Sequence, residues 1–89
     1  MKKNPERDRV SLDKRMRFVI DTFPKYRKKI EILYKMNGNF KELCDDYDMC
    51  NKTLESWNKS RKKEAPARRI EYGELLRRLE EEIHQYLIE

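Results

Sequence analysis

The stretch Phe40-Lys-Glu-Leu43-Cys44-Asp-Asp-Tyr47-Asp-Met-Cys50-Asn-Lys-Thr-Leu54-Glu-Ser-Trp57 decides the fold. Its apolar residues Phe40, Leu43, Tyr47, Cys50, Leu54 and Trp57 are spaced 3, 4, 3, 4 and 3. An α-helix brings positions three and four apart onto one face, so this spacing predicts one helix over about 40–60 with an unbroken apolar seam. Cys44 widens the stripe. A strand would need alternation with period two, which is absent.

A second seam lies downstream. Tyr72, Leu76, Leu79, Ile83 and Tyr86 are spaced 4, 3, 4 and 3, with Leu75 and Leu87 at the flanks, and predict a helix over about 66–87. Residues 59–65 carry no stripe and read as a loop, and Pro66 suits the first turn of the helix that follows. Two long helices joined by a short loop imply an antiparallel hairpin. Gly73 weakens the second helix by about 1 kcal/mol relative to Ala. That cost would be offset if Gly73 let a neighbouring helix approach closely.

Upstream, Leu12, Met16, Val19, Ile20 and Phe23 predict a first helix over about 12–22, with Ser11 as its N-cap. Pro24 ends it and opens a second short helix with the stripe Tyr26, Ile30, Leu33 and Tyr34. Asn37-Gly38 reads as the stop, with glycine taking the left-handed conformation, and Asn39 with Glu42 as the next capping pair. Residues 1–10 read as a disordered basic N-terminus. The expected fold is therefore an all-α, single-domain bundle of three to four helices over residues 1–89, built on the hairpin 40–60 and 66–87. Two narrow seams leave room for a homodimer that closes the bundle.

Composition agrees with helices. Charged residues make up 44% of the 89, against two glycines and three prolines. The net charge of +5 is unevenly spread: residues 1–36 carry twelve Lys/Arg against five Asp/Glu, residues 37–64 six against six, and residues 65–89 four against six. The N-terminal half is thus a candidate anion-binding surface, with Lys25, Arg27, Lys28 and Lys29, and the loop cations Arg61, Lys62 and Lys63, as candidate nucleic-acid contacts. The charged start has no signal-peptide pattern and no apolar run spans a membrane, so a cytoplasmic location is expected.

Candidate chemistry is sparse. His84 is the only histidine and falls on a helix flank. Asp45, Asp46 and Asp48 point around a helix rather than at one point. Cys44 and Cys50 lie about 9 Å apart along a helix, too far to bridge, and read as reduced core thiols. No nucleotide-binding fingerprint occurs. We expect no catalytic residues, no metal site and no cofactor.

Two resemblances bear on residues 40–83. Leu43-Cys44, Asp48-Met49-Cys50, Thr53-Leu54 and Trp57 resemble a helix-turn-helix of the transposase or small-regulator kind. In that reading Asp48 stands at the turn where the pattern has glycine, and Asn51, Lys52, Glu55, Ser56 and Lys59 lie on a recognition helix. More of the chain is covered by a second likeness. Phe40-x-x-Leu43-Cys44-x-Asp46-Tyr47-x-x-Cys50, then Leu54-x-x-Trp57, then Glu71-Tyr72-x-x-Leu75-Leu76-x-x-Leu79-Glu80-x-Glu82-Ile83 resembles a family of short bacterial helical proteins of unknown function. It implies a bacterial, cytosolic, helical protein and no particular activity. Asp46, off the seam, is expected to pair with Arg68 or Arg69. The combined expectation is a non-catalytic interaction module for an unidentified protein partner, with self-association as one form of it; a nucleic-acid-binding protein with a helix-turn-helix at about 40–60 is the competing expectation.

Overall fold

The computed structural model describes residues 5–89, with side chains from residue 14 onward. Four α-helices follow one another: α1 (Pro5–Thr22), α2 (Arg27–Met36), α3 (Gly38–Asn58) and α4 (Ala65–Ile88). A 3-10 turn over Pro24–Tyr26 joins the first two. The fold is the expected all-α bundle on an α3–α4 hairpin. α3 and α4 are the most extensively packed pair, and α1 and then α2 pack against α3.

Each junction has a local cause. α1 ends where Phe23 N donates to Val19 O and Pro24 can donate nothing further. Its start differs from expectation: the helix begins at Pro5, a residue preorganised for a first turn, so Ser11 lies inside it rather than capping it. Residues 1–4 of the basic N-terminal stretch lie outside the described residues.

The α2–α3 junction also differs from expectation. Asn37 is extended (φ −126°, ψ 111°) and serves both helices at once. Its N–H donates to Leu33 O at 2.8 Å, closing α2, and its side chain accepts from Phe40 N at 3.0 Å, opening α3. Gly38 is the first residue of α3 with no left-handed backbone, and Asn39 is not the cap. One asparagine thus turns the chain in a single residue.

At the hairpin tip, Lys59 N and Ser60 N donate back to Ser56 O and Trp57 O, ending α3. Ser60 Oγ then accepts from Lys62 N, and α4 starts with Ala65 buried and Pro66 in its first turn.

α3 is continuous through Asp48, and no described residue has a positive φ. The chain therefore forms no helix-turn-helix between 40 and 60. The turn that reading requires would break the i→i−4 ladder in the middle of the seam.

The core is at the base of the hairpin. Phe40, Cys44, Tyr47 and Cys50 of α3 are buried with Leu79, Ile83 and Leu87 of α4, Met16 and Val19 of α1, and Ile30 and Tyr34 of α2. Leu87 rather than Tyr86 takes the deepest C-terminal position. Leu79, Ile83 and Leu87 are four apart, a spacing that slants the stripe around the helix. Tyr86 instead lies edge-on to Phe40, with ring centroids 5.5 Å apart.

Candidate interaction surface

The hairpin has two unlike halves. At the base, α1 and α2 cover one side of α3, and the polar tips of buried residues are tied together. Tyr47 sits on the seam, and a buried phenol needs a partner for its hydroxyl. It donates to Glu80 Oε2 at 2.6 Å and lies 3.0 Å from Thr22 Oγ1, which also donates to Phe18 O. Three helices meet at that hydroxyl. Burial, and then the bond to Glu80, pushes the Tyr47 phenol up to about 12.

Tyr34 makes a similar link from α2, donating to Asp45 Oδ1 at 2.7 Å, with Lys41 Nζ on the other carboxylate oxygen at 3.0 Å. Burial and the Asp45 bond raise Tyr34 to about 12. Burial acts upward on Asp45 itself, but hydrogen bonds from Tyr34 and Lys41 and the nearby cations outweigh it and hold the carboxylate below its usual range. Cys44, fully buried beside these groups, is pushed up to about 12 by burial.

Toward the tip the seam is thinner. Leu54 and Trp57 remain half-buried and do not join the core cluster, so the expected seam 40–57 is deeply buried only as far as Cys50. The reason is length: α1 and α2 reach only the base, and two helices alone cannot enclose a side chain. Leu43, Tyr72 and Leu76 are half-buried at the edge of the cluster.

Between α3 and α4 lies an open groove of about 260 Å³. Its floor is Leu79 and Cys50, and the Cys50 thiol donates to Tyr72 O at 3.6 Å. Its walls are Met49 and Thr53 from α3 and Leu75 from α4, with Asp46 at one end. Met49 is 68% exposed and Leu75 38%. A thioether and an isobutyl group held in water line a strip along the groove, with Asp46 as the acidic group beside it. Met49 suits such a surface because its side chain is flexible and polarisable.

The other sequence candidates fall as follows. Lys25 and Lys28 are exposed on the outer side of the 3-10 turn and α2. Arg27 pairs with Glu31 at 3.4 Å, and Lys29 is half-buried, donating to Leu87 O at 2.8 Å. Lys29 thus satisfies a carbonyl at the C-terminus of α4, where a cation suits the dipole. Arg61, Lys62 and Lys63 are exposed at the hairpin tip, at the opposite end of α4. Twenty-four helical residues separate the two basic runs, roughly 36 Å. The structure therefore does not bring them together into one patch.

Asp46 does not meet its expected partners: Arg68 binds Glu71 at 2.9 Å and Arg69 donates to Trp57 O at 3.3 Å. Gly73 has no neighbour within 4 Å of where a Cβ would stand, so no helix approaches it closely. His84 is exposed and stacks on Phe23, 5.5 Å between centroids. Cys44 and Cys50 are unbridged, and no cluster of three metal-ligating side chains occurs among the described residues. No helix of the described residues is long and apolar enough to cross a membrane.

Sequence reasoning named Leu75 only as a flank and Met49 only within the helix-turn-helix pattern, and saw neither as a wall of the groove. The available signal was a second set of positions, Asp46-Met49-Thr53 and Tyr72-Leu75-Leu79, at the same 3–4 spacing one step around each helix. Comparison with protein-family models, curated proteins and solved structures yields no match. The likeness to short bacterial helical proteins thus rests on the quoted residues alone.

Proposed function

We propose that this chain is a non-catalytic interaction module whose docking surface is the α3–α4 groove. The observation that carries the reading is the exposure of Met49 and Leu75 on either side of an apolar groove that α1 and α2 leave open. Apolar side chains kept in water in a row favour association, because burying them removes that surface from solvent. The groove is wide and shallow and holds one carboxylate, a poor setting for acid–base chemistry and a suitable one for an apolar helix or strand.

The competing nucleic-acid reading draws less support. It rested on a helix-turn-helix that α3 replaces with a continuous rod, and on two basic runs that lie at opposite ends of α4.

Affinity capture with the wild type and three variants tests the module. Leu75→Asp and Met49→Asp alter exposed positions and should leave the helical circular dichroism spectrum unchanged. Arg77→Asp, on the other side of α4, is the control. Partners retained by the wild type and the control should be lost from both groove variants. Identical captures by all four proteins would overturn the reading.

A further inference from the structure

A second exposed apolar strip lies on α2. Ile32 is 60% exposed and Met36 80%, one turn apart on the same face. Ile30 and Tyr34 are buried toward the core, so Ile32 and Met36 point away from it. Lys28 and Lys35 are exposed on that same face. The strip is thus apolar in the middle and basic at its edges.

The α3–α4 groove is acidic at its base end, while Arg15, Lys41 and Lys52 stand with Asp45 and Asp48 on the far side of Met49. Asp46 is in its lining. Glu42 lies one turn before Asp46 on α3 and Glu82 one turn beyond Leu79 on α4, both exposed. Arg78 also borders this face, one turn from Leu75. A groove-to-groove pairing of two copies with their hairpins parallel would set Asp46, Glu42 and Glu82 of each against their own kind, and like charges across an interface are costly. A groove-to-α2 pairing sets carboxylates against lysines and covers both apolar strips together. Within one chain that pairing cannot form, since the outer face of α2 looks away from the hairpin.

We propose that the α3–α4 groove of one copy receives the outer face of α2 of a second copy. This rests on the groove being the docking surface, and it names the occupant. The contact is heterologous: each copy keeps one free groove and one free α2 face, so assembly proceeds head to tail into a ring or a filament. Lysines alone would equally suit a phosphate backbone, but Ile32 and Met36 between them find nothing apolar there.

Sedimentation velocity of the purified full chain tests this, with Met36→Glu altering the α2 face and Leu75→Lys altering the groove. Both positions are exposed, and circular dichroism checks that each variant keeps its helix content. The wild type is expected to pass from monomer to progressively larger species as concentration rises, and high salt should weaken the assembly. Each variant alone should stay monomeric. An equimolar mixture of the two should give a one-to-one dimer and nothing larger, because only the wild-type groove of Met36→Glu and the wild-type α2 face of Leu75→Lys can still join.

A wild type that stays monomeric at millimolar concentration overturns the proposal, as does a Met36→Glu variant that still self-associates or a mixture that stays monomeric. A monomeric wild type that captures a different protein through Leu75 overturns self-assembly alone and leaves the docking surface standing. One that captures nothing through Leu75 overturns both. Binding of DNA or RNA by a monomeric wild type, abolished by Met36→Glu, reassigns the α2 face to nucleic acid.

Discussion

The base and the tip of the hairpin are cut from the same two helices and carry the same 3–4 repeat, yet they bury very different amounts. At the base, Phe40, Cys44, Ile83 and Leu87 are at most 1% exposed, sandwiched between α1 or α2 and the opposite helix. Toward the tip, Leu54, Trp57 and Leu76 are half-buried and Leu75 stands in the groove. The lesson is that a seam on a helix specifies which residues can be buried, and the reach of the neighbouring helices decides which are. The base has spent its apolar surface on stability; the tip has surface left for a partner.

The largest expected effect probes the base. Phe40→Ala should cost about 3–5 kcal/mol, a large-to-small change at a closed site, while Leu75→Ala should stay within about 0.5 kcal/mol. Urea denaturation followed by circular dichroism measures both. Equal losses at the two positions would erase the distinction between base and tip.

Next comes the three-helix hydroxyl. Tyr47→Phe removes the bond to Glu80 and the link to Thr22, and should cost about 1–3 kcal/mol, because the lost partner is a carboxylate. The pH dependence sharpens the point. Tyr34 and Tyr47 are raised from an ordinary 10.0 to about 12, and Cys44 from 9.0 to about 12. Groups raised in the folded state release protons more readily when unfolded, so their stability contribution is intact below pH 9 and is lost as pH rises toward 12. Thermal melts should therefore hold to about pH 9 and then fall steeply. Tyr47→Phe should flatten that fall. Asp45 acts in the acid range: its depressed carboxyl favours the fold at neutral pH and loses that contribution as pH drops below the usual carboxylate range.

A smaller effect lies on α4 between base and tip. Gly73→Ala should raise stability by about 0.5–1 kcal/mol, since the helix gains propensity and the added methyl meets nothing. A destabilised variant would mean that this segment is packed more closely than the open half of the hairpin allows. The smallest effect is kinetic. Cys50 borders the groove and Cys44 is enclosed at the base, so alkylation under native conditions should label Cys50 first. Mass spectrometry of the labelled peptides reads the order, and prior labelling of Cys44 would reverse the assignment of covered and open sides.

Much of the frame was legible in the residues themselves. The spacing of Phe40 to Trp57 and of Tyr72 to Tyr86 is enough for two helices, and Pro24, Pro66 and the featureless loop 59–65 are enough to separate them. The junction at Asn37 was misread because Asn-Gly is a common stop; Asn37 three residues before Phe40 is also a cap, and the cap won. What could not be read is long-range. Lys29 belongs to a basic run in sequence, and only the approach of Leu87 O converts it into a structural contact. Glu80 gains its role from the phenol of Tyr47, thirty-three residues away. The depth of Leu54 and Trp57 depends on where α1 and α2 stop, which no local pattern records. The groove was half visible, as a second 3–4 set at Met49 and Leu75, and its openness again depended on the absence of a covering helix.

Hydrogen exchange of backbone amides in the dilute protein tests the contrast between base and tip most directly. Amides of residues 40–50 and 79–87 should exchange slowly and together, at the rate of global unfolding, while those of 53–58 and 66–76 open locally and exchange at least tenfold faster. Uniform protection along both helices would show the tip to be as well covered as the base, and the groove would then have no claim to be a docking surface.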